Sequence, residues 1–286
     1  ASRWAYEAMT VTQFKDNEFE KIFFEFNKEM SFANWKKDQW ESNLETKLNN
    51  FYRSLDVNNM DRIKKLEVKR DGEVLINEIS KEINNFNSSK EYTKAQISKL
   101  LKTIENRTMD KEDYQDLYNY LSSTKVYYRN AYKVAEKKKD AALRKFLGLS
   151  EKLKKELKTL KNDKSISSKE YRSYKKLLTR LKDYKYQKFK NTYNNHSLED
   201  FVTNSNTLNF ITEDKTSLIQ KSDPIYLDPY NNKYLGAHFY APSKNIFGIK
   251  LDTFSANIMV IWLMTILLTI TLYFDLLRKL IENSGT

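Results

Sequence analysis

A mainly α protein with one membrane-crossing helix near its C-terminus is what this sequence predicts, on three observations. From Thr253 to Phe274 run 22 residues without a charge. At about 1.5 Å per residue they make a helix of roughly 33 Å, enough for a hydrocarbon core about 30 Å thick. Glycine and proline are scarce, with 5 and 3 in 286 residues, and all three prolines crowd into 224–242. Upstream of them, apolar residues recur at helical spacings of three and four. The predicted architecture is a set of helical hairpins or a coiled-coil bundle, then a small irregular membrane-proximal element, then the transmembrane helix.

Composition frames what lies outside that helix. The mean hydropathy is −0.74 despite one wholly apolar span, so the rest must be a large water-exposed domain. The formal charge is +12, and the residues after Phe274 sum to zero, which places the excess N-terminal to the span. Long domains translocate regardless of charge, so this does not fix the orientation. A nucleic-acid partner is not expected. Lysines interleave with Asp and Glu along helices, and neither a ribonucleoprotein motif nor zinc-finger spacing occurs. The absence of cysteine fits any compartment.

Taken in order, the opening SRWAYEAMTVTQF predicts a boundary helix with Trp4, Tyr6 and Phe14 as interfacial anchors. Trp40, Leu44, Leu48, Phe51 and Leu55 mark one face of an amphipathic helix. Asp71-Gly72 is a turn signal, read as a break between helices in preference to a hairpin. Ile76, Ile79, Ile83 and Phe86 continue the helical pattern beyond it. Ser88–Glu91 and Ser167–Glu170 both spell the S-x-x-E capping box. Between them Tyr114, Leu117, Leu121, Tyr128, Ala135, Ala142 and Phe146 mark a long helix ending at Gly148. Leu153, Leu157 and Leu160 suggest a shorter helix. Tyr171, Leu178, Leu181 and Phe189 suggest another.

Within the membrane helix, Asn257, Thr265 and Thr269 share one stripe, at i, i+8 and i+12. In lipid such groups seek partners on neighbouring helices. Trp262 sits at mid-span and not at a headgroup boundary. These four are the candidate helix-packing or cavity residues. No second span is present, and the chain opens at Ala1 without methionine or signal peptide, so it reads as the C-terminal fragment of a multi-span protein.

Signals for catalysis are missing from the sequence. His196 and His238 lack metal-ligand spacing, and no phosphate-binding G-x-x-x-x-G-K-[ST] loop is present. Asp223 and Asp228 flank the turn in SDPIYLDPY, where stabilising the turn is a better reading than binding a cation.

ASRWAYEAMTV at the start, and DPIYLDPYNN, GAHFYAP and IFGIKLDTFSANIMVIWLM toward the end, resemble the C-terminal part of ABC-2-type membrane domains. The closest kin are G-subfamily (White-like) half-transporters and their Bacteroidetes-type relatives. The resemblance covers about residues 1–26 and 195–282; residues 30–193 match no general feature of the family. It implies a division into 1–29 boundary helix, 30–193 helical insertion in the external loop, 194–252 membrane-proximal segment, 253–277 last transmembrane helix and 278–286 cytoplasmic tail. Residues 1–252 would lie on the periplasmic side of a bacterial inner membrane. Five earlier helices and a nucleotide-binding domain using ATP and Mg would belong to the parent protein, with no cofactor in this piece. Such proteins dimerise and move hydrophobic or amphipathic substrates outward, touching lipid throughout. Ser2, Arg3, Trp4 and Glu7 would position the boundary helix. The competing class is a membrane-anchored helical interaction or structural protein of the cell envelope.

Overall fold

The computed structural model describes residues 1–57, 61–85, 92–146, 159, 167–229 and 235–274. It is mainly α-helical, with short antiparallel strands and one long apolar helix at the C-terminal end. The chain divides into two compact units. One comprises residues 25–140 and 206–222, called here the bundle. The other comprises 1–24, 141–205 and 223–286, the membrane-helix unit. The chain passes between the two units after residues 24, 140, 205 and 222.

In the bundle, α2 (Glu20–Trp35) runs through one π-helical turn (Lys36–Trp40) into α3 (Glu41–Arg53). Trp40, Leu44, Leu48 and Phe51 are buried, as their spacing requires. They meet Val74, Leu75 and Ile79 of α4 (Arg62–Asn85), Ile97, Leu100 and Ile104 of α5 (Lys94–Asn106), and Leu117 and Leu121 of α6 (Lys111–Phe146). Each such side chain contributes about 1.5–3 kcal/mol by leaving water. Helix α4 corrects the break expected at Asp71-Gly72, because it passes through both residues without interruption. A Cβ at Gly72 would lie 3.1 Å from the Phe51 ring and 3.4 Å from Ile104. The glycine is therefore a close-approach residue, and packing outweighs its helix cost of about 1 kcal/mol. A hairpin of β1 (Ile211–Asp214) and β2 (Ser217–Gln220) joins this unit; Asn77 donates to the Thr216 carbonyl at 2.7 Å. The capping box observed before α5 is Thr93 with Gln96. Ser88–Glu91, Phe86 and the Leu153–Leu160 helix lie outside the described residues.

In the membrane-helix unit, α1 (Ser2–Lys15) and α8 (His196–Thr203) bring Val11, Phe14 and Val202 to a core with Phe24, Ile225 and Tyr226, and α7 (Ser168–Tyr193) packs Tyr186 and Phe189 on Phe19. Phe14, expected as an interfacial anchor, is fully buried in this core and stacks edge-on against Tyr226. It faces inward because it shares one helical stripe with Ala8 and Val11, which are also buried. The Ser167–Glu170 capping box is formed, and the bonds from Ser167 hold the Glu170 carboxyl below its ordinary value. Residues 194–252, expected to be irregular, include β3 (Leu235–Gly236), β4 (Ser243–Ile246) and β5 (Ile249–Asp252) in one antiparallel sheet. Positive φ at both Phe247 and Gly248 makes the β4–β5 connection a tight two-residue turn. From β5 the chain enters α9 (Thr253–Tyr273) directly. This helix is long and apolar enough to cross a membrane, and only 11% of its apolar window is buried. The last residues of the expected 253–277 span, and the 278–286 tail, lie outside the described residues.

Candidate functional site: the junction at the head of the membrane helix

Helix α1 packs along the N-terminal part of α9. Its inner face carries Glu7, Ala8, Thr10, Val11 and Phe14, and α9 answers with Thr253, Ala256 and Asn257. The small residues on both faces let the two backbones come close. A carboxylate at the centre of this contact is costly unless its lone pairs are met, and here three donors meet them. Glu7 is 2% exposed. Its Oε1 accepts from the Tyr240 amide at 3.1 Å. Its Oε2 accepts from Lys244 Nζ at 2.5 Å and from Asn257 Nδ2 at 3.0 Å.

Each partner is held in turn. The Asn257 amide also donates to the Trp4 carbonyl at 3.0 Å, while its Oδ1 is buried without a hydrogen-bond partner. The Lys244 ammonium lies 4.5 Å from the centre of the Trp4 ring, a cation–π contact. Arg3 stacks over Phe239 at 5.0 Å. Burial, a hydrogen bond with Tyr6 and the Glu7 charge push the Tyr240 hydroxyl up to about 12. Burial pulls the His238 imidazole below its ordinary value, against its bond to the Pro224 carbonyl at 2.6 Å. A carbonyl only accepts, so His238 Nε2 carries the proton.

Asp252 closes the edge of the site with two bonds. It is the N-cap of α9, taking the Phe254 amide on Oδ2 at 3.2 Å, and it pairs through Oδ1 with Lys15 of α1 at 2.6 Å. A carboxylate at a helix N-terminus is favourable to both the free amides and the dipole. Thr253 ties the same corner by donating to the Ala241 carbonyl at 2.5 Å.

Of the residues singled out in the sequence, the structure brings together Trp4, Glu7 and Asn257, with Arg3 beside them. Ser2 is exposed at the start of α1. Thr265 and Thr269 stand exposed on α9, their hydroxyls donating to the carbonyls of Ile261 and Thr265 at 2.9 Å, and Trp262 is 64% exposed. Asn257 is thus the member of the polar stripe that this chain itself engages. Sequence reasoning missed Lys244, Tyr240 and the Lys15–Asp252 pair, and of these Lys15, Lys244 and Tyr240 have no local signature. Asp252 did carry one, as an acid directly ahead of an uncharged run.

A second buried ion pair lies in the bundle. Lys36 of the π turn pairs with Glu82 of α4 at 2.6 Å, with the Trp40 ring centre 3.8 Å from its ammonium. Glu82 also accepts from the Tyr128 hydroxyl, and Glu78, one turn before it, accepts from Trp40 Nε1 at 2.8 Å. Burial lowers the Lys36 pKa against the pull of Glu82, and burial with the Glu82 charge raises that of Tyr128 well above the phenol range. Among the described residues no group of His, Asp and Glu could hold a metal ion. Asp228 pairs with Lys250 of β5 at 2.8 Å. Comparison with protein-family models, with curated proteins and with solved structures finds no match.

Proposed function

We propose that this chain is the external loop and last membrane helix of the membrane domain of an ABC-2-type exporter, moving a hydrophobic or amphipathic substrate outward. The observation that carries the reading is the junction: the two ends of the chain on which the family resemblance rests form one compact unit, locked by Glu7, Lys244 and Asn257. In such a protein the junction passes movement of α9 to the external domain, because a buried, hydrogen-bonded charge cannot slide without being replaced. The exposed Thr265, Thr269 and Trp262 are then surfaces for the parent's other helices or for the cavity. ATP hydrolysis, with Mg, falls to the parent's nucleotide-binding domain, and this piece has no catalytic role of its own.

The orientation implied is residues 1–252 periplasmic and the C-terminus cytoplasmic. The test uses the absence of native cysteine. Single cysteines at Ser122, which is exposed, and Ser284 are challenged with an impermeant maleimide in cells whose outer membrane alone is permeabilised. Labelling at 122 and protection at 284 is expected; the reverse pattern sinks the reading. A membrane-anchored interaction protein is the second reading, favoured by the bundle having its own extensive core. ATP-coupled transport by the full-length parent that is lost in Glu7→Ala argues for the exporter, and a parent without such transport argues for the anchor.

A further inference from the structure

The net charge of this protein is not spread over it. Residues 141–193 hold 17 Lys and Arg against 5 Asp and Glu, a net of +12. All other residues together carry 33 of each sign and are neutral. Helix α7 alone carries nine basic residues against two acidic ones along about 39 Å. Among the described residues, Arg172, Lys175, Lys176, Arg180, Lys185 and Lys188 are exposed and make no ion pair with a carboxylate. A chain that needed charge only for solubility would intersperse the two signs, as the rest of this one does.

Two features identify what such a surface fits. Toward the C-terminal end of α7 the apolar side is occupied, since Tyr186 and Phe189 pack on Phe19, and Phe189 on Phe146 at 4.4 Å. These aromatic rings are therefore not free to sink into a bilayer, and contact through the basic side of α7 is electrostatic and peripheral. Tyr174 and Tyr184 stand exposed between the lysines, and tyrosine favours the headgroup layer. Helix α7 also belongs to the same compact unit as α9. Its C-terminal end rests on Phe19, four residues beyond Lys15, which pairs with the cap of α9. A bilayer that holds α9 is thus tethered to the same unit as α7 at high effective concentration, whereas any other polyanion must be delivered.

We propose that the basic side of α7, an arm carrying Arg172, Lys175, Lys176, Arg180, Lys185 and Lys188, is a docking surface for the anionic lipid headgroups of the membrane that holds α9. The inference rests on the reading of α9 as membrane-spanning and not on transport. Each basic residue near an anionic leaflet strengthens attachment roughly fivefold, so the arm acts as a multivalent, salt-sensitive clamp on the orientation of its unit.

The test uses the full chain with Ser173→Cys carrying a fluorophore, reconstituted into vesicles with quencher-bearing headgroups. The lipid is phosphatidylcholine alone or with an equal part of phosphatidylglycerol. Quenching is expected to be several-fold stronger in the anionic vesicles. It should fall to the neutral level at about 1 M salt, where the screening length is about 3 Å. The same fall is expected in R172Q/K175Q/K176Q/R180Q, whose glutamines keep the helix. Equal quenching in the two lipids, or an unchanged signal in the variant, overturns the proposal. Stronger shielding of Ser173 by added single-stranded DNA than by anionic lipid overturns it in favour of a nucleic-acid surface. A label at Leu263→Cys reports α9 insertion separately. Failure to insert removes both the membrane reading and the clamp, while insertion with an indifferent Ser173 removes the clamp alone.

Discussion

Among the described residues each unit buries a lysine–glutamate pair under an indole ring, and the two pairs are built differently. In the bundle, Lys36 and Glu82 are 46 residues apart, both on helices, and the second carboxylate oxygen is met by Tyr128. In the membrane-helix unit, Glu7 and Lys244 are 237 residues apart, one on a helix and the other on a strand. There the carboxylate also takes a backbone amide and the amide of Asn257, whose own oxygen stays unmet. A fully satisfied buried network rigidifies its core and resists rearrangement. A network with one unmet acceptor on a membrane helix is stabilised less, and gains from any donor that a shift of that helix would bring. The bundle pair therefore reads as a brace, and the other as the more readily rearranged of the two.

The largest expected effect breaks the brace. Glu82→Ala strands a buried ammonium and should cost about 3–5 kcal/mol. Urea unfolding followed by helical circular dichroism measures it, and Lys36→Met with Glu82→Leu together should recover most of the loss. Next comes the other pair: Glu7→Ala strands Lys244 in the same way, at a cost of about 3 kcal/mol or more. Hydrogen exchange should then show lost protection in α1 and the first turns of α9 with the bundle amides unchanged. Opening of the bundle in that variant would mean the two pairs are not independent.

A smaller effect comes from pH. The folded His238 pKa lies below the unfolded value of 6.5, so below that value the unfolded state binds more protons and folding loses stability. Protection of the membrane-helix unit should therefore fall as pH drops from about 7.5 to about 5 and stay flat in His238→Gln, with the bundle as internal reference. The smallest effect sharpens the account of the polar stripe. Within this chain, Thr265→Leu with Thr269→Leu should change α9 stability by less than about 1 kcal/mol, because both hydroxyls bond only their own helix. Asn257→Leu should cost more than the pair together, measured by the exchange of α1 amides in detergent. If the threonines proved the costlier change, the junction would not be centred on Asn257.

What the sequence alone determined is what depends on near neighbours. The length and apolarity of α9, the Trp40–Phe51 face, the extent of α6 and the Ser167–Glu170 cap all follow from residues within a few turns of each other. Helical periodicity and capping are local interactions, and so they are legible without a partner. Tertiary structure decided everything that needed a second element. Gly72 read as a break because a turn is the local use of Asp-Gly, whereas the Phe51 ring that demands a glycine arrives from another helix. Glu78 and Glu82 carry no mark in the sequence, and only the fold brings Trp40, Lys36 and Tyr128 to meet them. Glu7 was marked by resemblance, but its role came from Lys244 and Asn257, brought beside it from the other end of the chain. A buried charge is tolerated only where its counter-charge is also buried, and no local pattern records a pairing that closes across 237 residues.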